Sequence, residues 1–173
     1  VNLVLIGYRG SGKTSVARRL ADTLKCQMID TDELIADEAG MSIADIFERE
    51  NESGFRARER EAVKAATAIV DRIISVGGGA VESPENRRLL GDYGTVVWLD
   101  ADPDTLWRRI RGDAQSASNR PDLTGGGLAE VESVVVRRRG LYESLADIRI
   151  DTAKLDIDTV ADLVMERIDV RPG

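Results

Sequence analysis

Leu3-Val4-Leu5-Ile6-Gly7-Tyr8-Arg9-Gly10-Ser11-Gly12-Lys13-Thr14 is the stretch that decides the fold. Its first four residues form an uninterrupted apolar run, the mark of a strand buried on both faces inside a parallel sheet. The next eight spell G-x-x-x-x-G-K-[ST], followed by an amphipathic helix that carries Val16, Leu20 and Leu24 on one stripe. Glycines in such a loop let successive backbone N–H groups curl around an anion, and the helix beginning at Lys13 adds its positive dipole end. Lys13 is then placed to reach the β- and γ-phosphates, and the Thr14 hydroxyl to ligate Mg²⁺. The expected ligand is a nucleoside triphosphate, held by Gly10, Ser11, Gly12, Lys13, Thr14 and Ser15.

Outward from this loop the chain alternates strand-like and helical segments to its end. Gln27–Ile29, Ile73–Val76, Thr95–Leu99 and Ile148–Ile150 read as further strands, the last at a sheet edge because of the exposed-looking Arg149. Ser42 with Asp45 three residues on resembles a capping box, with Ile43, Ile46 and Phe47 as the short helix's buried face. Longer helices are expected from Gly54 to Val70, from Pro84, through Trp107 after Asp102-Pro103, near Leu128–Leu145, and over Thr159–Ile168. Such repetition predicts an α/β three-layer sandwich with a mostly parallel sheet. No internal repeat or linker divides residues 1–173, so one domain is expected. Residues 112–127 break the pattern, being polar and ending in Gly125-Gly126-Gly127; they read either as a surface loop or as a lid.

Composition removes whole classes of function. There is no histidine among the 173 residues, which excludes Ser-His-Asp triads, HExxH metallopeptidases and any imidazole acid or base. A net charge of −7 argues against a nucleic-acid backbone as partner. No apolar run approaches the length of about 20 residues needed to span a membrane, and no signal peptide is recognised before the first strand. Cys26, the one cysteine, allows neither an internal disulfide nor a cysteine-based zinc site, so a reducing cytoplasm is the expected location. With 20 Arg to 4 Lys, anion sites should be built from guanidinium forks.

Three strands end in residues suited to ligands: the phosphate loop, Asp30-Thr31-Asp32, and Gly77-Gly78-Gly79. In an open α/β sheet these ends converge on one crevice. Asp30 and Asp32 read as helix caps or as ligands of a metal and an acceptor hydroxyl. The glycines read as a tight turn or as a place of close backbone approach. Asp100, ending an apolar strand, is a rival metal ligand. Helical spacing places Arg138 at the centre of the stripe Leu128, Val131, Val135, Tyr142 and Leu145, with Arg137 and Arg139 toward solvent. An inward guanidinium is costly unless an anion meets it. The stripe of Val63, Ala66 and Val70 extends through Glu59, with Arg56 at its margin, so Arg56 either pairs internally with Glu59 or is oriented by it toward an anionic substrate. Asp122-Leu123-Thr124-Gly125 and Asn119-Arg120-Pro121-Asp122 imitate GTPase motifs, but they overlap, stand in the wrong order and lack the lysine.

Taken together, the phosphate loop, Asp30-Thr31-Asp32, Ser42-Ile43-Ala44-Asp45-Ile46-Phe47, Phe55-Arg56 with Glu59, Gly77-Gly78-Gly79-Ala80-Val81, Arg120-Pro121, and Arg138 before Leu141-Tyr142 resemble the shikimate kinases, within the nucleoside-monophosphate-kinase-like P-loop family. The resemblance implies a five-stranded sheet of order 2-3-1-4-5 and transfer of the γ-phosphoryl of ATP to the 3-hydroxyl of shikimate. It implies that Asp32 holds the acceptor hydroxyls and serves as base, within an acceptor segment of about residues 32–60. Arg56, Arg138 and the backbone at Gly78 and Gly79 would hold the acceptor carboxylate. Thr14 and Asp30 would serve Mg²⁺, and Arg120 would close on the phosphates from a lid at residues 112–127. Two departures stand out: Asp122 follows the Arg-Pro pair where the family has apolar residues, and Leu155 and Ile157 replace its usual basic residue and proline. The expected protein is a monomeric cytoplasmic kinase. A kinase for another polyol acid such as gluconate, or a nucleotide-binding regulatory module, remains the alternative.

Overall fold

The computed structural model describes residues 1–113 and 126–168. Strands β1 (Leu3–Ile6), β2 (Gln27–Asp30), β3 (Arg72–Ser75), β4 (Thr95–Asp100) and β5 (Ile148–Asp151) make one sheet of order β2-β3-β1-β4-β5. Every neighbouring pair is parallel, with Leu3 opposite Ile73 on one side and Thr95 on the other. The expected strand order and the edge position of β5 are both observed. Among the described residues the helices are α1 (Lys13–Leu24), α2 (Thr31–Ala39), α3 (Ile43–Thr67), α4 (Pro84–Tyr93), α5 (Pro103–Gly112), α6 (Gly127–Leu145) and α7 (Ile157–Arg167), with a 3-10 turn at Ala80–Glu82. None of them is long and apolar enough to cross a membrane.

β1 explains the three layers. Its side chains alternate across the sheet, and all four residues are buried because both faces are covered. Leu3 and Leu5 pack with Val16 and Leu20 of α1 and with Val160 and Val164 of α7. Val4 and Ile6 pack on the other face with Val63 of α3, Leu90 of α4 and Tyr142 of α6. Truncating any of these fully buried aliphatic side chains to alanine would cost about 2–5 kcal/mol.

Local signals set the helix starts. Ser42 accepts a hydrogen bond from the Asp45 N–H, Ser83 from Asn86 N–H, and Asp102 from Thr105 N–H. Pro84 and Pro103 occupy first-turn positions, where a missing N–H costs nothing. The region expected as two helices is so divided: Ile43–Thr67 comprises two helical stretches that meet at a kink at Asn51 (φ 61°, ψ −177°). Helix therefore resumes ahead of Gly54, and it stops short of Val70, which is 62% exposed and contributes nothing to the stripe. Arg139 also departs from expectation, lying half-buried with its guanidinium 5.8 Å from the Trp98 ring centroid.

Candidate active site

The phosphate loop joins β1 to α1 through three glycines with positive φ, Gly7, Gly10 and Gly12. Gly7 has a second reason to be glycine: a Cβ there would collide with the Leu99 carbonyl oxygen and come within 2.9 Å of Ser11 Oγ. The loop is thus seated directly on β4. Lys13 is buried, and its Nζ donates to the carbonyls of Gly7 at 2.8 Å and Tyr8 at 3.1 Å. These bonds hold the ammonium inside the loop, where the α1 N-terminus also points. Ser11 is buried beside it, whereas Ser15 is exposed on the rim of the cleft.

Asp30 caps a helix and also reaches the phosphate loop. Its Oδ1 accepts the N–H groups of Asp32 at 2.9 Å and Glu33 at 3.3 Å, capping α2. Its Oδ2 accepts the Thr14 hydroxyl at 2.6 Å, and Ser75 Oγ lies 3.5 Å from the same hydroxyl. The cap fixes the carboxylate, and the carboxylate fixes Thr14 at the mouth of the phosphate loop. Asp30, Thr14 and Ser75 offer hard oxygen donors, the chemistry Mg²⁺ prefers. Asp32 follows in the first turn of α2 and lines the same cleft of about 450 Å³ as Lys13, Thr14 and Gly78.

The glycine turn after β3 separates this cleft from a second hollow of about 290 Å³, lined by Arg56, Glu59, Gly79 and Glu82. Thr31 Oγ1 accepts the Gly77 N–H at 3.0 Å, and Tyr142 donates its hydroxyl to the Gly78 carbonyl at 2.7 Å, so the turn is pinned from α2 and α6. Close approach is the reason for glycine at 79, where a Cβ would sit 2.5 Å from Arg56 Nη2 and 2.7 Å from its Cζ. A Cβ at Gly78 would press on the Gly7 carbonyl oxygen at 3.3 Å and touch Arg138 Nη1 at an ordinary 3.5 Å. Arg138 is only 7% exposed, as the helical stripe required, and its Nε is buried without a hydrogen-bond partner. Arg56 Nη1 donates to the buried Glu59 at 2.8 Å. Both arginines therefore reach the same glycine turn from different helices.

Two residues enter the site that sequence reading passed over. Glu82, closing the 3-10 turn, accepts from Arg138 Nη2 at 3.3 Å and from Arg137 Nε at 3.1 Å, and lies 3.7 Å from Arg56 Nη2. Burial works to raise its pKa, but Arg138, Arg137 and Arg56 together outweigh it and hold the carboxyl below the usual glutamate range. Arg109 of α5 lines the cleft beside the phosphate loop, where it donates to the Thr152 carbonyl at 2.6 Å and to the Gly10 carbonyl at 3.4 Å. Burial lowers the proton affinity of its guanidinium. The rival ligand Asp100 is instead committed to Arg149, whose Nη2 donates to it at 2.6 Å. Arg120 lies outside the described residues, as does most of the expected lid.

A sequence profile of the shikimate kinase family matches residues 9–169. The shikimate kinase of Symbiobacterium thermophilum is 43% identical over 172 residues, covering 99% of this chain and 98% of its own. That of Rhodopirellula baltica is 42% identical, covering 95% and 89%. Among solved structures, the shikimate kinase from Acinetobacter baumannii in complex with shikimate superposes with a TM-score of 0.91 at 30% identity, covering 98% of this chain and 95% of the other. The match spans the phosphate loop, the capped Asp30, the glycine turn and the paired arginines: the chain belongs to the shikimate kinase family.

Proposed function

We propose that this chain transfers the γ-phosphoryl group of ATP to the 3-hydroxyl of shikimate, giving shikimate 3-phosphate and ADP. One observation carries the reading. A single glycine turn has Lys13, Thr14 and Asp32 in the cleft on one side of it and Arg56 in the hollow on the other, with the Arg138 guanidinium against Gly78. A small molecule with a carboxylate at one end and hydroxyls at the other fits across that turn.

The acceptor carboxylate would take hydrogen bonds from Arg56, Arg138 and the backbone at Gly78 and Gly79. Its 3-hydroxyl would then lie toward Asp32. The hydroxyl oxygen attacks the γ-phosphorus as the bond to the β–γ bridging oxygen breaks, and the hydroxyl proton passes to the Asp32 carboxylate. Lys13 leaves its loop carbonyls for the β- and γ-phosphate oxygens, and the loop N–H groups neutralise charge on the departing diphosphate. Thr14 and Asp30 would hold Mg²⁺ beside Ser75. When bound, the ion supplies positive charge to the triphosphate. Arg120 is assigned to the phosphates by its place in the family motif. Most of the barrier is thus lowered by positioning and fixed charge, with no covalent intermediate on the protein. Because one chain carries the Asp30, Asp32, Arg56 and Arg138 set whole, a monomer is sufficient, and the lone Cys26 fits a reducing cytoplasm.

Release of ADP from Mg-ATP with and without shikimate, and with gluconate in parallel, tests this. Shikimate-dependent release, lost by at least about a hundredfold in Asp32→Ala, is expected. Release with gluconate instead, or none with either despite ATP binding, would refute the assignment.

A further inference from the structure

The carboxylate site contains a carboxylate of its own. Glu82 Oε2 lies 3.3 Å from Arg138 Nη2 and 3.7 Å from Arg56 Nη2, so one oxygen is shared between the two guanidiniums assigned to the acceptor. Its other oxygen, Oε1, accepts from Arg137 at 2.9 Å (Nη2) and 3.1 Å (Nε). Arg137 belongs to neither cavity and is exposed, with 60% of its side chain open to solvent. Glu82 thus spans the acceptor arginines and a third arginine just outside them.

Both acceptor guanidiniums are already partnered by carboxylates. Arg56 also meets Glu59 at 2.8 Å and Glu52 at 3.5 Å, and Arg60 lines the same hollow. A further carboxylate arriving on Arg56 and Arg138 must share their donors with Glu82, and two carboxylates on one pair of guanidiniums repel each other in a partly desolvated hollow. Glu59 does not yield easily, because its side chain is 2% exposed. Glu82 does: its side chain is 29% exposed, and a turn toward Arg137 keeps it paired. Arg138 Nε is buried without a hydrogen-bond partner, so Glu82 does not fully satisfy that guanidinium.

We propose that Glu82 is a specificity-determining residue, an internal competitor for the acceptor's carboxylate, and that Arg137 is the catch that receives it when the acceptor binds. A carboxylate alone must displace Glu82 and gains little. An acceptor that also engages Asp32 through its hydroxyls gains enough to do so. This inference rests on the proposed acceptor site.

The test is a double-mutant cycle on the acceptor KM in the ADP-release assay. Glu82→Gln keeps the shape and removes the charge, and its shikimate KM is expected to fall by about three- to tenfold, the range for releasing a partly screened ion pair. The change should lie in KM rather than kcat. Arg137→Ala removes the catch and should raise KM about two- to fivefold in the parent chain, yet have no effect once Glu82→Gln is present. Glu85→Gln, on the exposed first turn of α4, makes the same change in net charge and should leave KM in place. A KM that is unchanged or raised in Glu82→Gln, with turnover intact, overturns the competitor role and makes Glu82 a strut that orients the arginines. An Arg137→Ala effect that survives in the double variant overturns the catch. Absence of shikimate-dependent turnover in the parent chain itself overturns the acceptor reading and this inference with it.

Discussion

Gly79→Ala is the sharpest probe of the acceptor site, because it moves Arg56 without removing it. The added methyl carbon would sit 2.5 Å from Nη2 and 2.7 Å from Cζ, and closer still to Nη1. Ordinary contact needs about 3.5 Å, so the guanidinium must retreat by roughly 1 Å. It lies at the end of a flexible side chain, so the arginine yields rather than the backbone. A 1 Å retreat stretches the 2.8 Å bond to Glu59 and pulls Nη2 off the glycine turn. A charge-assisted hydrogen bond to a carboxylate is worth about 1.5–3 kcal/mol, so shikimate KM should rise roughly ten- to hundredfold. The carboxylate is remote from the transferring phosphoryl, so the loss falls mainly on KM, while the KM for ATP stays within about twofold. Steady-state ADP release at varied shikimate and varied ATP, with Tm measured alongside, checks this. A shikimate KM within twofold of the parent would refute the placement of Arg56. A fall in both affinities together with a large drop in Tm would mean that the turn itself had collapsed.

Two further outcomes are expected. Asp30→Asn should separate the cap from the cation site. Asparagine caps a helix about as well as aspartate, so Tm should hold, while the Mg²⁺ concentration for half-maximal rate rises by about tenfold because a charged oxygen ligand is gone. An unchanged Mg²⁺ requirement would remove Asp30 from the cation site. Stability should also depend on Glu82 in acid. Its carboxyl is held below the usual glutamate range in the folded chain, so its contribution is fully present above the unfolded pKa of about 4.5 and is lost as pH falls through the lower folded value. The Tm difference between the parent and Glu82→Gln should therefore be largest near neutrality and shrink below pH 4.5; a difference that grows in acid would contradict the ion-pair assignment.

Features carried by local pattern were legible in the chain, and those that depend on a distant partner were not. β1 and the phosphate loop form a contiguous signal, and the caps at Ser42 and Asp102 each close over a separation of three residues. Arg138 was legible because α6 is regular, so that 3.6-residue spacing alone turns it inward. The division of α3 into two stretches was legible too, but its place at Asn51 was not, because nothing in the residue types around that position marks a positive φ. Arg109 finds its partners 43 and 99 residues away, at Thr152 and Gly10. Glu82 finds Arg137 and Arg138 at separations of 55 and 56. Both residues read as ordinary surface charges until the sheet brings those segments together. Asp100 misled for the same reason: the end of β4 looks like a metal strand until pairing with β5 brings Arg149 over it.

The missing histidine and the net charge of −7 follow from one design. A displacement at phosphorus needs a hydroxyl held in line and fixed positive charge around the leaving oxygens, and a carboxylate suffices to take the proton. No group with a pKa near neutrality is required, so nothing is lost by lacking imidazole. Both proposed substrates are anions approaching an acidic protein, so long-range attraction does not gather them, and their capture depends on local donors. Those donors are hidden: Lys13 and Arg138 are 9% and 7% exposed, and Arg56 lies at 19% side-chain exposure between Glu59 and Glu82. A positive charge kept that deep, and already paired with internal carboxylates, is of little use to a passing anion. It rewards only a ligand shaped to enter the cleft and strong enough in its other contacts to displace what is there. Selectivity in this site therefore arises from what the arginines must give up as much as from what they gain.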